Sequence, residues 1–219
     1  QMTQFLWDKL KKCFYYQFLK NKNNEYDDRY SESAQIKTIE YDNNSNNRFK
    51  GIISYLGKGN PKSVVDNQIV DVTSSSILYN SLAHDPKHVA DFYSEGSGSS
   101  FLSENIPNSW LLYDFKDKKV KPSSYSIKSH HFGGRGSYHP QTWVIEGSND
   151  KNDWKILDSR NEDNSLNSRS VSHNFKIQNK LGKNDYYRYL RIKQTGVTVR
   201  NDNYFGFSSL EYFGSIIEQ

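Results

Sequence analysis

The sequence predicts an all-β fold, a two-sheet sandwich or jelly roll of about eight strands, and three observations carry that expectation. After Phe49 the chain breaks into short apolar runs rich in Val, Ile, Tyr, Phe and Trp, separated by clusters of Asn, Asp, Gly and Ser. Alternation is clearest where Val171, His173, Phe175 and Ile177 share one face while Ser172, Asn174 and Lys176 take the other. His173 is then expected to be half core. No βαβ alternation or long helical period follows residue 50, which argues against a parallel α/β enzyme fold.

Taken in order, the elements begin with an amphipathic helix over 3–20, where Trp7, Leu10, Phe14 and Phe18 recur at three- and four-residue spacing beside Leu6 and Cys13. It reads as a packing helix, either the end of an upstream domain or part of this one. Residues 21–50 form a polar Asn-rich linker in which Ile36, Ile39 and Tyr41 could anchor one short strand. Strands are expected over 68–74, 110–115, 124–129, 142–146, 155–159, 171–177, 187–194 and 207–213, with 215–219 as a tail.

Composition narrows the function classes. Of the 219 residues only 34% are hydrophobic, but 15% are aromatic, with 16 Tyr, 12 Phe and 4 Trp to supply a core. A net charge of +4, spread along the chain, is weak for a dedicated nucleic-acid binder, and no nucleic-acid partner is expected. The single Cys13 cannot form an internal disulfide, which favours a reducing, cytoplasmic setting. Asp8, Lys9, Lys11 and Lys12 interrupt the N-terminal apolar stretch, so it reads as neither signal peptide nor membrane span. A chain starting at Gln1 suggests a fragment of a longer protein.

Five stretches fall into one order: Val70-Asp71-Val72-Thr73-Ser74-Ser75, Trp110-Leu111-Leu112-Tyr113-Asp114-Phe115, Trp143-Val144-Ile145-Glu146-Gly147-Ser148-Asn149-Asp150 with Trp154, Arg188-Tyr189-Leu190-Arg191-Ile192, and Leu210-Glu211-Tyr212-Phe213-Gly214. Together, across 51–214, they resemble the discoidin-like, coagulation factor 5/8 type C family. Tyr138-His139-Pro140 ahead of Trp143 is most similar to the intracellular branch, in which such domains follow BTB-type domains in cytoplasmic proteins, many from protists. The resemblance implies a jelly-roll sandwich with ligands held by loops at one end, no chemistry of its own, and an upstream BTB-type domain in the full-length chain. It implies a carbohydrate, phospholipid headgroup or protein as ligand. The secreted members' bracketing disulfide is missing, and Asp91-Phe92-Tyr93 replaces an Asp-Gly turn, which argues against their structural calcium site; no cofactor is expected. After Ser148 the turn reads Asn149-Asp150-Lys151, so its residue with positive φ is expected at Asn149 or Asn152.

By that connectivity the loops 76–90, 93–108 and 129–140 should meet. The third combines His130, His131, Arg135, Tyr138 and His139 with a flexible glycine backbone at Gly133, Gly134 and Gly136, an inventory suited to sugar hydroxyls or an acidic peptide; an exposed hairpin loop is the plain alternative. The first adds Tyr79 and His84, though the nearby Asp85-Pro86 step could equally form a capped turn. The second adds Phe101, whose flanking Glu95 and Glu104 disfavour insertion into an anionic membrane. A metal held by His130, His131 and His139 is disfavoured, because neighbouring imidazoles on an extended strand point to opposite faces. Trp110, Trp143 and Trp154 read as core, and Asp114, Arg191 and Glu211 as satisfied structural groups, with pairing among the three as one option.

Nucleophile elbows and phosphate loops are absent from the sequence, so no enzyme activity is expected. The leading expectation is a non-catalytic module that recognises a protein partner or a carbohydrate. The alternatives are the accessory domain of a truncated glycosidase and a structural spacer without a ligand.

Overall fold

The computed structural model describes residues 35–43, 48–92, 100–132 and 138–218. The helix expected over 3–20 lies outside the described residues, as does Arg135. Ten described strands form two sheets: β1 (Gln35–Ile39), β2 (Asp71–Ser74), β3 (Phe101–Leu102), β4 (Trp110–Asp114), β5 (Lys119–Ser129), β6 (Trp143–Ser148), β7 (Lys155–Arg160), β8 (Ser172–Lys176), β9 (Tyr189–Gln194) and β10 (Gly206–Glu218). One sheet runs β1-β10-β5-β8, with β3 also paired to β10, and the other runs β2-β4-β9-β6-β7. The fold is the all-β sandwich that the alternating pattern predicts.

The pleat explains the core. Leu111 and Tyr113 of β4, Trp143 and Ile145 of β6, and Leu190 and Ile192 of β9 all point inward and are completely buried. Opposite them lie Tyr125, Ile127, Phe207, Leu210 and Tyr212, so the aromatic residues meet between the sheets. Tyr125 stacks on Phe175 at 5.3 Å, and Trp143 meets Phe175 edge-on at 5.2 Å. Each such side chain contributes roughly 1.5–3 kcal/mol through burial. Few aliphatics therefore suffice.

Several expectations are corrected. His173 is exposed rather than half core, because β8 is an edge strand and only Phe175 of its alternating set is deeply covered. The expected tail is the last part of β10, where Ile216 is fully buried. Part of the expected linker belongs to the sandwich: Thr38 Oγ1 lies 2.9 Å from Ser215 Oγ, Tyr41 packs on Phe213 at 5.3 Å, and Phe49 on Phe92 at 5.1 Å. Trp143 is core, whereas Trp154 is half-buried on the outer side, its ring 3.8 Å from the Arg191 guanidinium. After β6 the positive φ falls on Lys151 (65°), because Ser148 Oγ accepts the N–H groups of Asp150 and Lys151 while Asp150 Oδ1 accepts those of Asn152 and Asp153. These bonds close the turn without a glycine.

Asp114, Arg191 and Glu211 are satisfied, but not by one another. Asp114 pairs with Arg188 and Arg191 with Glu146, both on the outer face. Glu211 is completely buried and accepts the N–H groups of Gly51, Ile53 and Ser54, which open the short helix Ile52–Leu56. Burial pushes its carboxyl up to about 7 despite those bonds.

Two bulges interrupt the β10–β5 ladder. At the first, Phe207 faces Ser129 and Ser209 faces Lys128, which leaves Ser208 as the extra residue. At the second, Phe213 faces Ser124 and Gly214 faces Pro122; Gly214 has φ 131°, and a Cβ there would meet the Lys121 carbonyl at 2.3 Å. The first bulge matters for the site, since it re-aims one hydroxyl at the sandwich end.

Candidate functional site

The end of the sandwich at Ser74, Trp110, Ser129, Trp143, Arg160, Gln194 and Gly206 gathers the long connections. Side chains tie these connections together. Tyr79 N–H donates to Glu104 Oε1 at 2.7 Å, Asn203 N–H to Asn105 Oδ1 at 2.7 Å, and Phe205 N–H to Ser103 Oγ at 3.0 Å. Gly206 N–H donates to the Tyr138 carbonyl at 2.7 Å. Loops fixed to one another in this way present a defined surface.

At its centre the His130 and His131 rings stack, 4.9 Å apart and inclined by 15°. The expectation that these neighbours point to opposite faces fails because β5 ends at Ser129 and the chain bends there, which abolishes the strand alternation. Tyr138 meets His130 edge-on at 5.7 Å, and Tyr204 meets Tyr138 at 5.2 Å. His84 approaches His130 from the first loop at 6.3 Å, and Phe132 lies 4.5 Å from His131. Among the described residues no three His, Cys, Asp or Glu side chains are arranged to hold a metal ion.

The candidate residues therefore separate. His84, His131 and Tyr138 are half-buried and converge, while Tyr79, 80% exposed, stands at the rim. His130 and His139 are buried at 1% and 3% exposure, so they are foundations of the site rather than an open surface. Phe101 is corrected outright: it is completely buried, pairs with Phe207 across the β3–β10 ladder and packs edge-on against Phe205 and Phe207. An apolar residue in so short a strand is covered by the sheet it caps. Sequence reasoning missed Tyr204, Ser100 and Ser208. For Tyr204 the available signal was an aromatic residue within the polar run Asn201-Asp202-Asn203 ahead of the last strand.

Burial keeps three of the imidazoles neutral. It holds His130 down at about 3, helped by His131, and burial with the nearby His84 also lowers His131. Burial lowers His139 as well. Exposed apolar side chains of Leu82, Ile106 and Phe132 lie among the same loops.

Two shallow depressions lie at the opposite end. One, of roughly 520 Å³, is lined by Asn149, Asp150, Trp154, Lys155, Asp185 and Tyr187; the other, of roughly 320 Å³, includes Glu40, Lys121 and Gly214. In the larger, Asp150 is consumed by its own turn and Lys155 is paired with Asp185 at 2.8 Å. Those charges are occupied and only the Tyr187 hydroxyl there is buried without a partner among the described residues, whereas the loop end holds four such atoms, His130 Nε2, His131 Nε2 and both ring nitrogens of His139. That difference makes the loop end the better candidate.

No protein-family model matches the chain. E3 ubiquitin-protein ligase Ufd4 of Drosophila melanogaster is 26% identical over 99 residues, which take in 45% of this chain and 4% of that protein. Among solved structures, CpGH89CBM32-5 from Clostridium perfringens, in complex with GalNAc-β-1,3-galactose, superposes with a TM-score of 0.50 at 10% identity, covering 67% of this chain and 96% of that one. The family 32 carbohydrate-binding module of C. perfringens NanJ, in complex with galactose, gives a TM-score of 0.47 at 10% identity, covering 69% and 95%. The fold is thus the discoidin-like jelly-roll β-sandwich.

Proposed function

We propose that the chain is a non-catalytic recognition module that captures a protein partner or a carbohydrate through its loop end, as one part of a larger intracellular protein. The carrying observation is that His84, His131, Tyr138 and Tyr204 reach one surface from three separate connections. Rigid aromatic groups beside polar ones supply contact area with little ordering cost. The glycan complex of a structure with the same fold favours a carbohydrate. The local likeness to a much larger ubiquitin ligase supports a module embedded in a longer chain and keeps a protein partner in view.

Catalysis has little footing in this geometry. Ser100 Oγ lies 2.5 Å from His131 Nδ1, but Ser100 is completely buried and no carboxylate among the described residues bonds the imidazole. The triple variant His131→Ala, Tyr138→Ala, Tyr204→Ala is expected to lose at least about thirtyfold in capture, measured on a glycan array and in a proximity-labelling pull-down, with an unchanged far-UV CD spectrum. Undiminished capture places the site elsewhere. An intact protein without hits in either assay supports the spacer reading.

A further inference from the structure

The larger depression at the end opposite the loops keeps acceptors that its own contacts leave over. It lies where the turn after β6 and the start of β7 face the chain leading into β9, and its volume of roughly 520 Å³ falls within the range of small-ligand sites. Three carboxylates, Asp150, Asp153 and Asp185, line it against the single ammonium of Lys155, so it is locally acidic on a chain whose net charge is +4. Lys151 of the same turn is placed over the Tyr189 ring, 4.8 Å from its centre. Asp185 accepts the Lys155 ammonium at 2.8 Å and the Gly182 N–H at 2.5 Å, both on Oδ2, which leaves Oδ1 without a hydrogen bond among the described residues. Asp153 is exposed and uses its backbone N–H in the turn, while its carboxylate has no hydrogen bond or ion pair among the described residues.

The independent sign of a ligand is Tyr187. It lines the depression, is 7% exposed, and its hydroxyl has no partner among the described residues. Its ring lies flat against β6, where a Cβ on Gly147 would come within 2.5–2.8 Å of three ring carbons, so the phenol is fixed in direction. Burial raises that phenol above its ordinary range, Asp185 adds to the rise and Lys155 opposes it; the hydroxyl therefore sits beside that pair as a neutral group with lone pairs free. The side chains of the pair are 50% and 26% exposed, and so open an ion pair exchanges at little cost, which gives a ligand its way in.

We propose that this depression is a second contact site, separate from the loop end, which takes the guanidinium of an arginine on a partner chain. The planar fork donates to Asp185 Oδ1, to Asp153 and to the Tyr187 oxygen while Lys155 swings out to solvent. A lysine ammonium from the partner only repeats what Lys155 already does at Asp185, whereas five N–H groups in one plane reach the acceptors that Lys155 leaves idle. None of the loop-end residues takes part.

The test follows the indole ¹H–¹⁵N resonance of Trp154, whose ring forms part of the wall, in the full 219-residue chain at low salt. The probes are the blocked peptides acetyl-Gly-Arg-Gly-amide, acetyl-Gly-Lys-Gly-amide and acetyl-Gly-citrulline-Gly-amide. The arginine peptide should move the resonance saturably, the lysine peptide should bind roughly tenfold more weakly, and the uncharged citrulline peptide should not bind. Tyr187→Phe should weaken the arginine peptide roughly tenfold, as loss of one hydrogen bond to a charged group does. Lys155→Ala should strengthen it roughly threefold, because the competing cation is gone, and Asp153→Asn should weaken it by about as much. Equal binding of the arginine and lysine peptides, a Lys155→Ala protein that binds no better than wild type, or a folded Tyr187→Phe protein that binds as well as wild type overturns the inference. Where Tyr187→Phe loses the far-UV CD spectrum, the exposed Asp153→Asn variant decides in its place, and unchanged binding there overturns it. Capture on the glycan array should be the same in Asp153→Asn as in wild type, so failure at this depression and failure of the loop-end reading are seen separately.

Discussion

Glu211→Ala is expected to destabilise the domain by roughly 3–5 kcal/mol, as befits removal of a buried charged acceptor whose donors then have no partner. The carboxylate ties β10 to the start of the helix Ile52–Leu56 by accepting three backbone N–H groups. Gly51 lies so close that a Cβ would fall 2.2 Å from the Tyr212 carbonyl, which leaves no room for a substitute side chain to repair the gap. Chemical denaturation should report the loss, and a change under about 1 kcal/mol would show that the helix start finds other acceptors.

The same residue shapes the pH profile. Its folded carboxyl is pushed up to about 7 from an ordinary 4.5 by burial, so its contribution is fully present below pH 4.5 and is lost as pH rises through 7. A shift of that size corresponds to about 3 kcal/mol. His130 acts oppositely, because its imidazole is held at about 3 against 6.5: its contribution is present above pH 6.5 and fades as pH falls toward 3. Between 4.5 and 6.5 the two slopes offset each other; below that window stability falls with falling pH because His130 alone contributes a slope, and above about 7 neither does. Glu211→Gln, which cannot titrate, should remove the offset, so that stability rises with pH between 4.5 and 6.5, while lowering stability throughout, since its amide presents a donor to backbone donors. A Glu211→Gln profile as flat between pH 4.5 and 6.5 as that of the wild type would contradict this.

Asp158→Ala is the second change expected to have a large effect. Asp158 of β7 is completely buried, accepts the Tyr125 hydroxyl at 2.6 Å, and is paired with Arg160 at 2.8 Å. Tyr125 in turn accepts the Trp143 indole N–H at 2.9 Å. The carboxylate therefore joins β7 to β5 of the facing sheet, and its loss strands a guanidinium and a phenol in a place with little water. Breaking such a network costs about 3–5 kcal/mol, or a Tm lower by roughly 10 °C for a domain of this size. Trp143 fluorescence should change together with the CD transition. A Tm lowered by less than about 2 °C would mean that Arg160 and Tyr125 find other partners.

How much of this could be read from the chain depends on whether the signal was local. The alternation in β4, β6 and β9 is local, and those strands fall where it places them. The upstream half of β5 was hidden by Pro122, which is tolerated because it sits at a bulge opposite Gly214. Two-residue β3 is too short for any period. The site was legible only as an inventory: the loop from His130 to His139 drew attention, yet nothing local shows that Ser208 or Tyr204 joins it, nor that Phe101 leaves it for the core. The stacking of His130 on His131 follows from where β5 ends, and the approach of Ser208 to Ser100 spans 108 residues of sequence.

The most direct test of the central claim is where on the sandwich a captured ligand acts. Backbone ¹H–¹⁵N shift mapping with a hit from the glycan array or with the isolated partner should show the largest perturbations at His84, His131, Tyr138 and Tyr204. Perturbations centred instead on Trp154, Lys155 and Asp185 at the opposite end would contradict the assignment of the loop end as the binding site.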